Sequence, residues 1–336
     1  LNSHGVVAVS QPEVEISSAD VDRAVDAAKA ISLSSTKEII EVIPREFIVD
    51  GQEGIKNPTG MSGVRLEVNT HIITAGITNL KNLDRCLSDL DIQTRAYIFS
   101  GLASSLASIS EKEKELGVAL VDIGGGKIDV CIFVEGALSY SSSIPVGARH
   151  VTNDIAVGLR VSLESAEKIK LFLSDEKLRD RMKDQGKDDV DISPLKLPEE
   201  LKKISYKTVT DGIIRPRMDE MFENIMQEIE NSEFITQIPS GLVITGGGAL
   251  TAGILQSARR VIGTPARISV PQSVTGLVDE VLYPQYAAVV GLLLYAKEAE
   301  SEEKKVDLKD FDKIFRNISV KSSVKKLTDL VKSFVP

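Results

Sequence analysis

A run of three glycines between two short apolar segments is the feature that most limits how this chain can fold. Residues 118–123 and 128–134 are rich in β-branched residues, so both are predicted to be strands. Between them stand Gly124, Gly125, Gly126 and Lys127. Because glycine has no Cβ, the backbone N–H groups of such a hairpin can meet an anion closely. Asp122, at the end of the first strand, is placed to hold a hydrated Mg²⁺.

A second glycine cluster follows another apolar run much later in the chain. Residues 242–245 predict a strand and residues 251–261 predict a helix, with Gly246, Gly247 and Gly248 between them. Two such turns facing each other would bind a nucleotide from both sides. For the first turn taken alone, a plain glycine-rich hairpin is the alternative.

The paired turns resemble the second phosphate loop and the adenosine loop of the superfamily that contains actin, the heat-shock chaperone ATPases and the sugar kinases. Other segments resemble, more specifically, the FtsA family of bacterial cell-division proteins, and this likeness extends over almost the whole chain. These segments are residues 42–47, 52–58, 66, 70–74, 99–105, 153–156 and 291–293.

The resemblance implies an α/β protein with the actin-like two-domain ATPase fold and an inserted α+β subdomain. Hydrophobic patterning predicts strand, helix, strand, strand for that subdomain. The implied parts are the inserted subdomain at 1–76, a first actin-like domain at 77–110 and 282–298, a second at 111–160 and 238–281 with an outer subdomain at 161–237, a linker at 299–320 and an amphipathic helix at 321–336. The superfamily's first phosphate loop is expected before residue 1, so the chain is predicted to be N-terminally incomplete and to bind ATP more weakly than an intact protein.

ATP and Mg²⁺ are the ligands that the resemblance implies. Asp122 would approach Mg²⁺ through water, and Gly124, Gly125 and Gly126 would wrap the β- and γ-phosphates. Gly246, Gly247 and Gly248 would admit the base and ribose. The superfamily usually has a hydroxyl residue at the position of Lys127. The lysine either removes a hydroxyl contact or adds a cation near the phosphates.

Three charged residues complete the implied nucleotide site. Glu167 and Lys170 are about one helical turn apart, and the superfamily uses such a pair beside the adenosine. Spacing alone also fits a surface ion pair. Asp154 stands where the family places an acid facing the nucleotide cleft, with an ordinary helix-surface carboxylate as the alternative.

The C-terminal residues form a basic amphipathic pattern in an otherwise acidic chain of net charge −9. The apolar residues at helical spacing are Val324, Leu327, Leu330, Val331 and Phe334, and Lys325 and Lys326 are among the lysines beside them. Such a helix can lie on an anionic membrane surface, and FtsA-like proteins carry one. A terminal helix docked on the body of the protein is the alternative.

The implied function is that of an actin-like protein that polymerises and tethers the FtsZ ring to the cytoplasmic face of the cell membrane, recruiting later division proteins. Arg217 and Glu220 lie in the part of the family that meets the FtsZ C-terminal tail, although they also fit ordinary exposed residues. No base for fast phosphoryl transfer is evident, so we expect at most a slow ATPase and not a metabolic enzyme. A pilus-assembly adaptor and a sugar-kinase-like phosphotransferase are the alternatives.

Composition argues against a nucleic-acid-binding protein and against a disulfide-rich one. The negative net charge argues against nucleic acid as a partner. Cys86 and Cys131 are the two cysteines, and their apolar surroundings favour a reduced, cytoplasmic protein. No run of eighteen apolar residues is present.

Overall fold

Two β-sheets organise the part of the chain that the structure describes. In this computed structural model, the described residues are 1–9, 15–175, 188–272 and 281–300. Leu1–Leu292 form one unit, and a second unit begins at Leu293. The predicted terminal helix, with Val324, Leu327, Leu330, Val331, Phe334, Lys325 and Lys326, lies outside the described residues, as does the linker beyond residue 300.

The first sheet forms the N-terminal subdomain. Its elements are β1 (Asn2–Ala8), α1 (Ser18–Ala28), β2 (Lys37–Val49), β3 (Gln52–Ile55) and β4 (Arg65–Gly76). The strands are antiparallel in the order β1-β4-β2-β3. A capping box between Ser17 and Asp20 begins α1. Ala24 and Ala28 of this helix pack against the apolar face of the sheet.

The predicted order of strand, helix, strand, strand omitted β3. This strand follows a tight turn in which Asp50 and Gly51 both have positive φ. Residues 52–54 are exposed at the edge of the sheet. An exposed edge strand needs no apolar alternation, so its sequence carries no strand pattern.

The second sheet contains the predicted glycine hairpin. The remaining strands are β5 (Val118–Ile123), β6 (Ile128–Val134), β7 (Ala137–Ile144), β8 (Asp189–Asp191), β9 (Lys203–Ser205), β10 (Leu242–Thr245) and β11 (Ala266–Ile268). β8 and β9 pair with each other, and the other five form a sheet of order β11-β10-β5-β6-β7. β10 is parallel to β5 and β11, whereas β6 is antiparallel to both of its neighbours. Thr245 at the end of β10 therefore lies beside Asp122 at the end of β5.

Helices cover both faces of this sheet. The helices that follow the first sheet along the chain are α2 (Ile77–Ser88), α3 (Ser100–Ser108), α4 (Glu111–Leu116), α5 (Ala148–Leu159), α6 (Leu163–Leu173), α7 (Arg215–Asn231), α8 (Ile254–Ile262) and a last helix at residues 287–300. Along β5, alternate side chains enter two different cores. Val121 packs in the cluster that contains residues of α5, α6 and α7, and Leu120 packs in the cluster that contains Leu102 of α3. Full burial explains why this strand is a continuous apolar run.

Two local predictions have opposite outcomes. Apolar residues at helical spacing in the sequence predict one buried face of α7, and all of them are buried, namely Met218, Met221, Phe222, Ile225 and Ile229. The sequence also predicts a strand at residues 94–100, and this prediction is wrong, because residues 92–99 have no regular structure and α3 begins at Ser100. A strand persists only where a neighbouring strand receives its hydrogen bonds, and sequence pattern does not reveal that neighbour.

Candidate functional site

A cavity of about 630 Å³ opens between the two glycine turns and the helices α5 and α6. The first turn contributes Gly125 and the second contributes Gly247 and Gly248. From the helices come Arg149, Thr152 and Asn153 of α5, and Leu163, Glu164, Glu167, Lys170 and Leu171 of α6. The fold thus brings together both predicted glycine turns and the predicted Glu167–Lys170 pair.

The first glycine turn is joined directly to the start of α5. The N–H of Ala148 donates to the carbonyl oxygen of Gly124 over 2.9 Å, and that of Arg149 donates to Gly125 over 2.8 Å. A Cβ on Gly147 would lie 2.7 Å from the oxygen atoms of Gly124 and Gly125. Gly147 is therefore needed for the close approach of α5 to the first glycine turn, a role that no motif in the sequence indicates.

Gly125 and Gly126 are glycines that packing does not require. A Cβ added to either would have no heavy atom within 4 Å, and neither residue has a positive φ. Gly124 differs, because its Cβ would lie 3.1 Å from the carbonyl oxygen of Lys127 across the turn. The open space above Gly125 and Gly126 leaves their backbone accessible, as phosphate binding by backbone N–H groups requires.

The second glycine turn packs against the end of β5. Gly246 has a φ of +84°, and its added Cβ would lie 2.2 Å from Oδ1 of Asp122. At Gly248 the added Cβ would lie 2.3 Å from Cγ2 of Ile123. Gly246 and Gly248 therefore allow the two turns to meet, while Gly247 lines the cavity.

Asp122 is a buried carboxylate that lies between the turns but is not part of the cavity wall. Its Oδ2 accepts a hydrogen bond from Ser104 of α3, and it lies opposite Asp129 in the register of β5 and β6. Burial raises the pKa of Asp122; Asp129 adds to this and the Ser104 hydrogen bond opposes it. Among the described residues, no group of three or more His, Cys, Asp or Glu could hold a metal ion.

Lys127 is turned toward α3 and away from the cavity. Its Nζ donates to both carboxylate oxygens of Asp129, over 2.9 and 2.7 Å, and to Oγ of Ser100 over 2.7 Å. It also lies 5.5 Å from the ring centroid of Phe99. Asp129 is only 2% exposed, so its charge needs this partner. The first role of Lys127 is thus to compensate a buried acid.

Glu167 and Lys170 form a partly buried network with Thr152. The ammonium of Lys170 donates to Oε2 of Glu167 over 2.7 Å and to Oγ1 of Thr152 over 3.0 Å. The Thr152 hydroxyl donates to the same Glu167 oxygen. Burial alone would raise the pKa of Glu167, but the hydrogen bonds from Lys170 and Thr152 outweigh it and lower that pKa. Because the Lys170 side chain is only 9% exposed, the pair is not an ordinary surface ion pair. No motif in the sequence indicates this role of Thr152.

Asp154, which was predicted to face the nucleotide cleft, is not among the residues that line this cavity. Its carboxylate accepts from Nε of Arg217 over 2.5 Å and from Nη2 over 3.1 Å. Arg217 also donates from Nη1 to Glu220 over 2.6 Å. Asn153 lines the cavity instead. Successive residues of a helix point about 100° apart, so Asn153 and Asp154 meet different surroundings.

Apolar side chains form another part of the cavity wall. Leu163 is 59% exposed and Leu171 is 55% exposed, although both are large apolar residues. They stand on the same helix as Glu167 and Lys170. Apolar surface beside a few polar groups is typical of small-molecule sites and suits the face of a nucleotide base.

Comparison with known proteins places the chain in a family. The family model "SHS2 domain inserted in FTSA" matches residues 1–74, and the model "Cell division protein FtsA" matches residues 119–291. The chain is 37% identical over 302 residues to cell division protein FtsA of Pseudomonas aeruginosa, covering 90% of this chain and 71% of the relative. It is 36% identical over 323 residues to cell division protein FtsA of Bacillus subtilis, covering 96% of this chain and 71% of the relative.

Solved structures show the same fold at low sequence identity. MreB5 of Spiroplasma citri bound to ADP has a TM-score of 0.53 and 18% identity, covering 68% of each chain. The PilM–PilN type IV pilus biogenesis complex has a TM-score of 0.55 and 15% identity, covering 88% of this chain and 76% of the other. These likenesses confirm the predicted actin-like α/β fold.

Among the described residues, no helix is both long enough and apolar enough to cross a membrane. The family matches decide between the cell-division reading and its alternatives, the pilus-assembly adaptor and the sugar kinase. The chain belongs to the FtsA family of cell-division proteins.

Proposed function

We propose that this protein binds ATP with Mg²⁺ in the cavity between its glycine turns and acts in cell division as a nucleotide-dependent, actin-like protein. The observation that carries the proposal is the convergence of both turns and the Glu167–Lys170 pair on one cavity of about 630 Å³. The structural neighbour MreB5 is described as bound to ADP in one structure and to AMPPNP in another, which supports the ligand class.

In this arrangement the base lies against Leu163 and Leu171, and the phosphates lie over Gly125 and Gly126. Asp122 holds a hydrated Mg²⁺. Hydrolysis is at most slow, because the acids nearest the first glycine turn are already engaged. Asp122 accepts from Ser104, and Asp129 is held by Lys127.

Calorimetric titration with ATP and Mg²⁺ tests the site. We expect Glu167→Gln to weaken ATP binding by about tenfold, because it removes the charge that holds Lys170 and Thr152 in place. Glu223→Gln, an exposed position on α7, is the matched control and should bind ATP as the original chain does. The absence of ATP binding by the original chain would refute the proposal.

We further propose that residues 321–336 attach the protein to the cytoplasmic face of the membrane. The support is the amphipathic, lysine-rich pattern of these residues and the membership of the FtsA family. The full chain should sediment with anionic vesicles, whereas a version that ends at Lys313 should stay in the supernatant. Leu327→Glu should also release the chain, whereas its control Thr328→Ser should not. Equal sedimentation of the full and shortened chains would contradict membrane attachment by this segment.

We also propose the C-terminal tail of FtsZ as a partner, bound near the start of α7. Arg217 and Glu220 were predicted to make this contact, but Arg217 is held by Asp154. The Arg215 side chain is 51% exposed, has only a long contact of 3.5 Å with the exposed Asp211, and borders a groove of about 300 Å³. An acidic tail would therefore meet Arg215 first.

Charge-reversal variants test the contributions of Arg215 and Arg217 to peptide binding separately. Arg215→Glu should weaken binding of an FtsZ tail peptide, whereas Glu223→Gln should leave it unchanged. Arg217→Glu should weaken it as well if that arginine turns toward the peptide. Unchanged peptide binding by both reversed variants would exclude this surface.

Polymerisation of the protein on vesicles, and recruitment of other division proteins, are proposed from family membership alone.

A further inference from the structure

The charged residues of the cavity wall are not all neutralised. The wall contains Glu164, Glu167, Lys170 and Arg149. Glu164 is paired with Lys168 over 2.7 Å, and Glu167 is paired with Lys170 over 2.7 Å. Within the part of the chain that the structure describes, Arg149 has no ion pair. The cavity therefore presents one uncompensated positive charge, which favours an anionic ligand.

Arg149 stands at the end of the cavity formed by the first glycine turn. Its own N–H donates to the carbonyl oxygen of Gly125, which ties the two residues together over 2.8 Å. Its side chain is exposed, and the space above Gly125 is open. A guanidinium group placed there can bind a phosphate through two parallel hydrogen bonds.

The backbone donors at the start of α5 and the ammonium of Lys127 are already occupied. Free N–H groups at a helix start often bind phosphate. In α5, however, the N–H groups of Ala148 and Arg149 donate to the glycine turn, and that of His150 donates to Gly147 over 3.0 Å. The ammonium of Lys127 is held by Asp129 and Ser100. The N–H groups of Gly125 and Gly126 remain open to a phosphate at this end, and Arg149 adds an exposed side-chain donor beside them.

We propose that Arg149 recognises the phosphate groups of the bound nucleotide and distinguishes nucleotides from nucleosides. The inference rests on the proposed ATP site and adds a residue that neither the glycine motifs nor the predicted site contained. It also assigns the role of phosphate-binding cation to α5 and leaves Lys127 with its buried partner.

The test is calorimetric titration of the intact chain with ATP, ADP and adenosine. We expect Arg149→Gln to weaken the binding of ATP and ADP by about tenfold, because a charge-assisted, bidentate contact is lost. Adenosine binding should be unchanged. Arg149→Lys should restore part of the affinity, since lysine keeps the positive charge but lacks the paired N–H donors of the guanidinium group. Arg85→Gln, an exposed arginine on α2, is the matched control.

The outcomes separate this inference from the proposal on which it rests. If the original chain binds ATP and Arg149→Gln binds it equally well, Arg149 does not contact the phosphates. An equal loss for ATP, ADP and adenosine would show that Arg149 only supports the shape of the cavity, and would also overturn the inference. If the original chain binds neither nucleotide, the proposed ATP site fails first. Weaker dependence of ATP affinity on salt in Arg149→Gln than in the original chain would support the charge contact.

Discussion

At the scale of single residues, glycines in the same site are required for different reasons. Gly147 is glycine because backbone atoms of the first turn lie 2.7 Å from where its Cβ would be. Gly125 has no such neighbour within 4 Å. The first is required by the folded chain, and the second leaves room for a ligand.

Alanine at position 147 should therefore lower the stability of the fold, whereas alanine at position 125 should weaken ATP binding. Gly147→Ala should lower the free energy of unfolding by about 1–3 kcal/mol, because backbone atoms must shift. Gly125→Ala should change it by less than about 0.5 kcal/mol but weaken ATP binding about tenfold. Urea unfolding and ATP titration of both variants make the comparison. A destabilised Gly125→Ala that still binds ATP normally would contradict this division of roles.

His71 is a buried histidine that joins the two sheets. It hydrogen-bonds to Oδ1 of Asn2 over 2.7 Å and to Oγ of Ser141 on β7 over 2.8 Å. Burial, followed by the charges of the N-terminus and Arg45, lowers the pKa of His71 from 6.5 to about 3. The folded chain thus keeps this side chain neutral in a range where the unfolded chain would protonate it.

The stability of the protein should consequently fall as the pH falls below 6.5, the unfolded-state pKa of this group, and continue to fall toward 3. The slope from His71 is at most about 1.4 kcal/mol per pH unit. Urea unfolding at pH 7.5 and 5.5 should show a larger loss for the original chain than for His71→Gln. Lys81→Gln, at an exposed position on α2, is the control and should keep the original pH dependence. Parallel pH profiles for the original chain and His71→Gln would contradict the assignment.

At the scale of elements, adjacent residues of α5 face the cavity and helix α7. Asn153 faces the cavity, while Asp154 binds Arg217 of α7. Both partners of this ion pair are partly exposed, with side-chain accessibilities of 32% for Asp154 and 27% for Arg217. Solvent screening therefore limits the stabilisation that the pair provides.

A double-mutant cycle of Asp154→Asn and Arg217→Gln should give a coupling free energy of about 0.5–1.5 kcal/mol. Asp154→Asn alone should leave ATP affinity unchanged, because the carboxylate is directed at α7. Unfolding measurements supply the coupling and titration supplies the affinity. A loss of ATP binding in Asp154→Asn as large as that in Glu167→Gln would restore the original prediction that Asp154 faces the nucleotide.

At the scale of the whole molecule, the candidate nucleotide site is assembled from distant parts of the chain. Residues of β5, the β5–β6 turn, α5, α6 and the turn after β10 meet at one place. A ligand bound there contacts elements that are far apart in sequence and stabilises only the folded arrangement.

Saturating ATP with Mg²⁺ should accordingly raise the thermal midpoint of the protein. At a concentration of about 100 Kd, the expected gain is about 2.7 kcal/mol, or several degrees for a chain of this size. At the same ATP concentration, Glu167→Gln should gain less because its Kd is higher. Thermal unfolding with and without nucleotide measures both shifts. An equal shift in the two proteins would mean that ATP binds elsewhere.

The sequence by itself determined the elements whose patterns are local. Both glycine turns, the strands that precede them and the buried face of α7 follow from apolar periodicity and glycine position, because these depend on neighbours in the chain. The fold class followed from the resemblance that those turns carry. The tertiary structure decided the rest. It showed that residues 92–99 form no strand, that β3 pairs at a sheet edge, and that Asp154 and Lys127 are directed away from the cavity. It also brought Arg149 and Gly147 to the first glycine turn, and Thr152 to the Glu167–Lys170 pair. Each of these depends on which distant group lies opposite a side chain or strand, and only the packing of the whole chain specifies that partner.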